Sequence, residues 1–232
     1  MSLPVLSFDT AQRVTEILLA LAFLQQSVEH LRAAAKERNL FVFRIALCML
    51  LLTGMASLWA TAGLALLSLL ILYRFQGPYN GGSDRMGLLI LFCLCLSHAA
   101  PSQIWREVAL GYLALQLMLS YFISGWVKIV NPDWRSGRAL RDVFEFSAYP
   151  ACENFRSIAT HARIVFAGSW AVMLFELVFP ATLLHPVALI AGLSIAALFH
   201  LANAILFGLN RFFWIWLAAY PSIFWFQQRV FL

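Results

Sequence analysis

Charge is scarce in this chain. Of its 232 residues only 12% are Asp, Glu, Lys or Arg, where a soluble domain carries about a quarter. The deficit falls in blocks: 45–73 holds none of these residues, and 164–184 holds one, Glu176. Continuous apolar runs without a two-residue alternation exclude a transmembrane barrel. Four cysteines (Cys48, Cys93, Cys95, Cys152) lack any metal-ligand spacing. Cys93 and Cys95, two apart in an apolar helix, fall on roughly opposite faces, so they read as small buried hydrophobes and no metal is expected. No Ser/His/Asp order, phosphate loop or HExxH occurs. The start, 1–13, has no basic segment leading into an apolar core, so no cleavable signal peptide is expected.

What remains is apolar: 62% hydrophobic residues, with twenty Phe and eight Trp. A spanning helix takes roughly 20 apolar residues, and within lipid the backbone must satisfy its own hydrogen bonds. The pattern therefore predicts a single all-α transmembrane domain over 1–232. It is a polytopic bundle of about eight helices at 12–32, 40–55, 58–75, 85–99, 104–130, 162–184, 186–209 and 211–228. The stretch 41–75 would be ~52 Å long as one helix, so it reads as two, with 54–63 as the turn region. Between the fifth and sixth helices lies one long polar loop, 131–161. Asn80–Asp84, rich in Gly, reads as a turn. The first helix is unusual in carrying Glu16, Gln25, Gln26, Glu29 and His30, so it is either partly interfacial or turned to the bundle interior.

The net charge of +5 does not indicate nucleic acid, because the basic residues sit between the apolar runs. With eight helices, Arg32, Lys36, Arg38, Arg44, Arg74, Arg85, Arg135, Arg138, Arg141, Arg156, Arg163 and Arg211 share one side, and Arg13, Arg106 and Arg229 the other. Seven helices would split the same residues nine against six. The positive-inside rule favours the first arrangement. It predicts a multi-pass protein of the inner or plasma membrane with both termini outside.

Three ionisable residues lie within apolar runs, where each costs roughly 2.5–3.5 kcal/mol on insertion scales. Lys128 follows Tyr121 and Ser124 by seven and four residues, so the three share a helix face. It reads either as a snorkelling Lys near a helix end or as a buried amine able to act as a base. Glu176 precedes Pro180 by four residues, and Pro cannot donate the hydrogen bond due to the Glu176 carbonyl. It is either a structural partner of an Arg or a neighbouring helix, or a proton carrier and counter-ion of Lys128. His200 shares a face with Asn203 and reads as an interhelical hydrogen-bonder or as the lining of a polar pocket.

The run Tyr121-Phe-Ile-Ser-Gly-Trp-Val-Lys128, followed by Asn131-Pro-Asp-Trp134, resembles the signature of the HTTM family. This family includes the membrane part of vitamin K-dependent γ-glutamyl carboxylase. Phe199-His200-Leu-Ala-Asn203 through Phe207, with Pro221 beyond, is similar to a second block, and Glu176 falls where the carboxylase has an Asp. The resemblance covers about 75–228. It departs at Gly82, which stands for a His implicated in the carboxylase chemistry. The chain ends at Leu232, so the large substrate-binding domain of the carboxylase is not expected, and glutamate carboxylation is not favoured.

The resemblance implies a membrane enzyme of vitamin K-dependent carboxylase/epoxidase type, an oxidoreductase or lyase. It would act on a lipid-soluble substrate such as a quinol, or in maturing a membrane-bound peptide. Lys128 would be the general base, with His200 and Glu176 completing the catalytic set; Asn203, Tyr121 and Asn80 would bind the cofactor. The implied cofactors are a quinone or hydroquinone and O2. The implied partners are membrane lipids and a soluble protein or peptide, and no nucleic acid. The other reading is a non-catalytic accessory, immunity-like or transport subunit with Lys128 and Glu176 as a structural ion pair. The charge count puts the Lys128 end of its helix inside, whereas the resemblance implies chemistry on the outer side.

Overall fold

The computed structural model describes residues 5–33, 38–74, 81–147 and 153–231. Asn80, expected in the cofactor site, and Cys152 lie outside them. Every regular element among the described residues is helical. Among these residues eight long helices fall where the apolar runs predict them: α1 Phe8–Ala33, α2 Arg38–Thr53, α3 Ser57–Arg74, α4 Gly81–Ala99, α5 Gln103–Val130, α8 Ala162–Val178, α9 Pro186–Phe207 and α10 Asn210–Phe231. Two shorter ones, α6 Pro132–Arg135 and α7 Arg138–Phe146, occupy the region expected to be a loop. Among the described residues four segments are long and apolar enough to cross a membrane: Ser57–Arg74, Gln103–Val130, Ala162–Leu184 and Pro186–Phe207. Leu174, Val178, Ile195 and Leu198 on the last two are exposed. Such an outward apolar surface suits lipid and not water.

The chain packs as two compact units, Met1–Leu115 with Trp214–Leu232, and Gln116–Phe213. In the first, α1 packs on α2 and α4, and α3 on α2 and α4. The α2–α3 break is sharper than the expected turn region: Gly54 alone turns left-handed, at φ +73°, and Gly63 lies inside α3. A left-handed residue after the last turn is a common helix stop that Gly adopts without strain. A helix end exposes carbonyls, and here Arg13 of α1 supplies the missing donors, at 2.8 Å to the Leu51 carbonyl and in a second bond to that of Leu52. Arg13 in turn pairs with Glu16 at 2.7 Å. Glu16 is 2% exposed. It also accepts from His98 Nε2 of α4 at 2.5 Å and from Ser57 Oγ of α3 at 3.3 Å. The polar residues of the first helix include inward ones: Gln12, Glu16, Gln26 and His30 are all buried.

The start of α4 corrects another expectation. Residues 81–84 form its first turn and are not a separate loop. Asp84 sits in that turn, where a carboxylate complements the helix dipole, and Gln26 of α1 donates to it at 3.3 Å.

In the second unit most of the described residues of the expected loop 131–161 are helical, in 132–135, 138–146 and 153–160. Polar composition hid its helices because α7 buries a narrow stripe: Phe144 packs with Leu140 against Phe207, Leu206, Ile158 and Ala159. The single-turn helix α6, α7 and a 3-10 segment Glu153–Thr160 follow one another. α8 ends at Val178, short of the expected 184, and passes into a 3-10 segment, Phe179–Leu184, because Pro180 removes a donor. α9 opens on Pro186, with His185 accepting from the Val187 amide, and closes on left-handed Gly208.

Candidate functional site

The site is built in the second unit from α5, α8 and α9. A helix repeats every 3.6 residues, so Tyr121, Ser124 and Lys128 stack along one stripe of α5. Gly125 lets α8 come close to that stripe: a methyl group added there would lie 2.8 Å from the Leu177 backbone nitrogen and 3.0 Å from Glu176 Cβ. The approach brings Glu176 to Lys128. Nζ lies 2.7 Å from Oε1 and 2.6 Å from Oε2, and 2.6 Å from Ser124 Oγ one turn back. Ser124 Oγ also donates to Glu176 Oε1 at 3.2 Å. An ammonium has three donors, and three oxygens receive them. The pair is sheltered: the Glu176 side chain is 4% exposed and that of Lys128 17%. Lys128 therefore turns to a carboxylate within the unit, and the snorkelling reading does not describe it.

One stripe position further back, Tyr121 OH lies 2.8 Å from His200 Nε2 of α9, and both residues are buried. Phe179 packs on the Tyr121 ring at 4.2 Å between centroids, Phe175 meets it edge-on at 6.0 Å, and Phe199 stands 5.1 Å from the imidazole. The two polar contacts thus follow each other along α5, the ion pair toward its C-terminal end and the phenol–imidazole pair deeper in an aromatic wall. This is a row of groups able to hold and pass protons.

Of the residues expected from the sequence, Lys128 and Glu176 meet, and Tyr121 and His200 meet. Asn203 is half-buried one turn beyond His200, and among the described residues no side-chain hydrogen bond joins it to this row. Sequence reasoning placed Ser124 on the right face without including it in the site. It missed Trp134, whose ring centroid lies 5.3 Å from Lys128 Nζ. The Asp-Trp pair of the motif was the available signal.

A search of curated proteins and of solved structures finds no match to this chain. The sequence profile of the family described as "HTTM domain" matches residues 98–228. The match begins later than the resemblance at 75 suggested, and it contains every residue of the row from Tyr121 to His200. It spans more than half of the chain, and the protein belongs to the HTTM family.

Proposed function

We propose that this protein is an HTTM-type membrane enzyme whose Lys128–Glu176 pair performs acid–base chemistry on a lipid-soluble substrate, a quinol or another phenolic molecule. The observation that carries this reading is the 2.6 Å contact between Nζ and Oε2 in a site buried on nearly all sides. As drawn, the amine has no lone pair to offer, because all three donors are engaged. Passing one proton to Glu176 gives a neutral amine and a neutral acid with no change of net charge. In an apolar site this step avoids creating a lone buried charge. The amine can then take the hydroxyl proton of a substrate, and the Tyr121–His200 pair would polarise or hold the substrate oxygen. A quinone or hydroquinone with O2 would supply the redox chemistry. The peptide-maturation variant needs a soluble or membrane-bound peptide partner.

On this reading the eight long helices all cross the cell membrane, and both termini lie outside, as the charge count favours. At 16 residues α2 is short for a full crossing and gains from the Arg13 cap on its end.

One observation favours a second reading. A Lys with three satisfied donors is also what a purely structural ion pair would show, as in an accessory or transport subunit. Mass spectrometry of the lipids and small molecules that copurify in gentle detergent separates the two. The wild type is expected to hold a quinone or related redox lipid that Lys128→Met loses or exchanges. Identical bound species in both, with Lys128→Met markedly less stable than the wild type, would favour the structural pair.

A further inference from the structure

We infer that Trp134 is the positioning residue of the Lys128–Glu176 pair, set in place by α8 so that its indole confines the ammonium; this rests on the reading of Lys128 as the reacting group. The chain reverses directly after α5. Asn131 caps the new turn by accepting from the Asp133 amide at 2.9 Å, and Pro132 starts it. Arg135 donates back to the carbonyls of Ile129 and Val130 at 3.0 and 3.3 Å, which closes the end of α5.

One face of α8 then grips this turn. Ser169 Oγ donates to the Trp134 carbonyl at 2.5 Å, and Trp170 Nε1 to the Arg135 carbonyl at 3.1 Å. Gly137 turns left-handed at φ +81°, and a methyl group there would lie 3.1 Å from Phe166 Cα. Phe166, Ser169 and Trp170 are three and four residues apart and so share a face of α8. Ser169 is also seven residues, two helical turns, before Glu176. The same helix therefore places both the carboxylate and, through Ser169, the indole beside one amine. A cation within about 6 Å of an indole face is attracted to it, and Nζ is 5.3 Å from the ring centroid. Composition alone would assign Trp134 to an interfacial aromatic belt; its anchored backbone and its contact with Nζ give it another task.

The chain contains two lysines, Lys36 and Lys128, so amine reactivity can be read at Lys128 with Lys36 as the internal reference. The experiment is reductive methylation of the full-length protein in lipid nanodiscs, quantified at each lysine by peptide mass spectrometry. Trp134→Leu is expected to raise labelling of Lys128 relative to Lys36 by about three- to tenfold, and Trp134→Phe, which keeps a π face, to stay within about twofold of wild type. Ser169→Ala, which keeps the ring and releases its anchor, is expected to fall between them, and it carries the test if Trp134→Leu does not fold. Equal labelling of the Leu and Phe variants, or wild-type labelling of Ser169→Ala with a folded protein, overturns the inference. The readout needs no substrate. Unchanged labelling together with a lipid lost in Lys128→Met would remove Trp134 from its role and leave the proposed function standing. Raised labelling with no lipid difference would do the reverse.

Discussion

Gly125 of α5 and Leu177 of α8 approach so closely that no side chain fits between them: a Cβ on Gly125 would lie 2.8 Å from the Leu177 amide nitrogen. The ion pair depends on this approach, since Glu176 is the neighbour of Leu177. Gly125→Ala gains about 1 kcal/mol of helix propensity but must move backbone, which in packed sites costs about 1–3 kcal/mol. The expected outcome is a lower melting temperature in detergent and weakened coupling of Lys128 to Glu176. Gly168→Ala in α8 is the matched control. Its Cβ would meet only Leu140 Cδ2, at 3.3 Å, the far end of a flexible side chain. That variant should melt at or slightly above the wild-type temperature.

The buried pair predicts a thermodynamic cycle. Removing one partner strands a charge, which costs about 3–5 kcal/mol, whereas replacing both with apolar residues of similar volume is often neutral or stabilising. Lys128→Met and Glu176→Leu are each expected to destabilise strongly, and the double variant to recover most of the loss. Chemical denaturation in mixed micelles measures it. If the double variant is as stable as wild type yet has lost its bound lipid, the pair serves chemistry rather than folding. Single variants that unfold like wild type would deny that the charges are buried together.

Tyr121→Phe isolates the hydroxyl, because the ring and its 4.2 Å packing on Phe179 remain. Losing a buried partner of His200 should cost about 1–3 kcal/mol. Tyr121→Ala adds a cavity and should cost about 3–5 kcal/mol. A phenylalanine variant as unstable as the alanine one would show that the 2.8 Å contact to His200 is not where the stability lies.

The helices were legible because hydrocarbon imposes length and composition on them, so apolar runs mark every long one. Lys128, Glu176 and His200 were legible for the converse reason: each breaks a run at a cost that needs a partner. Which partner each takes is tertiary information. Nothing local to Glu176 says that Lys128, 48 positions away, supplies its counter-charge, or that Gly125 is what lets them meet. The helices of 131–147 were misread because polar composition was taken for a loop, although Leu140, Val143 and Phe144 recur at helical spacing in α7, a stripe too short to stand out beside the long apolar runs. Trp134 escaped notice because its role comes from a carbonyl held by Ser169, and backbone acceptors are the same at every position. The polar residues of α1 were noticed without a destination, for the same reason as Glu176.

That destination supports a last prediction. Arg13 caps α2 through the carbonyls of Leu51 and Leu52 while Glu16 holds its guanidinium at 2.7 Å. Glu16 is held in turn by His98 and Ser57 from α4 and α3. Arg13→Met keeps the aliphatic bulk and removes the donors. The carbonyls at the end of α2 then lose their cap, and Glu16 loses its permanent cation. Glu16→Gln keeps the shape and leaves Arg13 able to cap, with one tether fewer. Hydrogen exchange across 51–57 should therefore accelerate strongly in Arg13→Met and only mildly in Glu16→Gln, by about tenfold and about threefold if the lost bonds are worth roughly 1.5 and 0.7 kcal/mol. The order of the two variants is the decisive feature. Were Glu16→Gln the more damaging, the carboxylate's ties to His98 and Ser57, and not the capping guanidinium, would hold the α2–α3 turn.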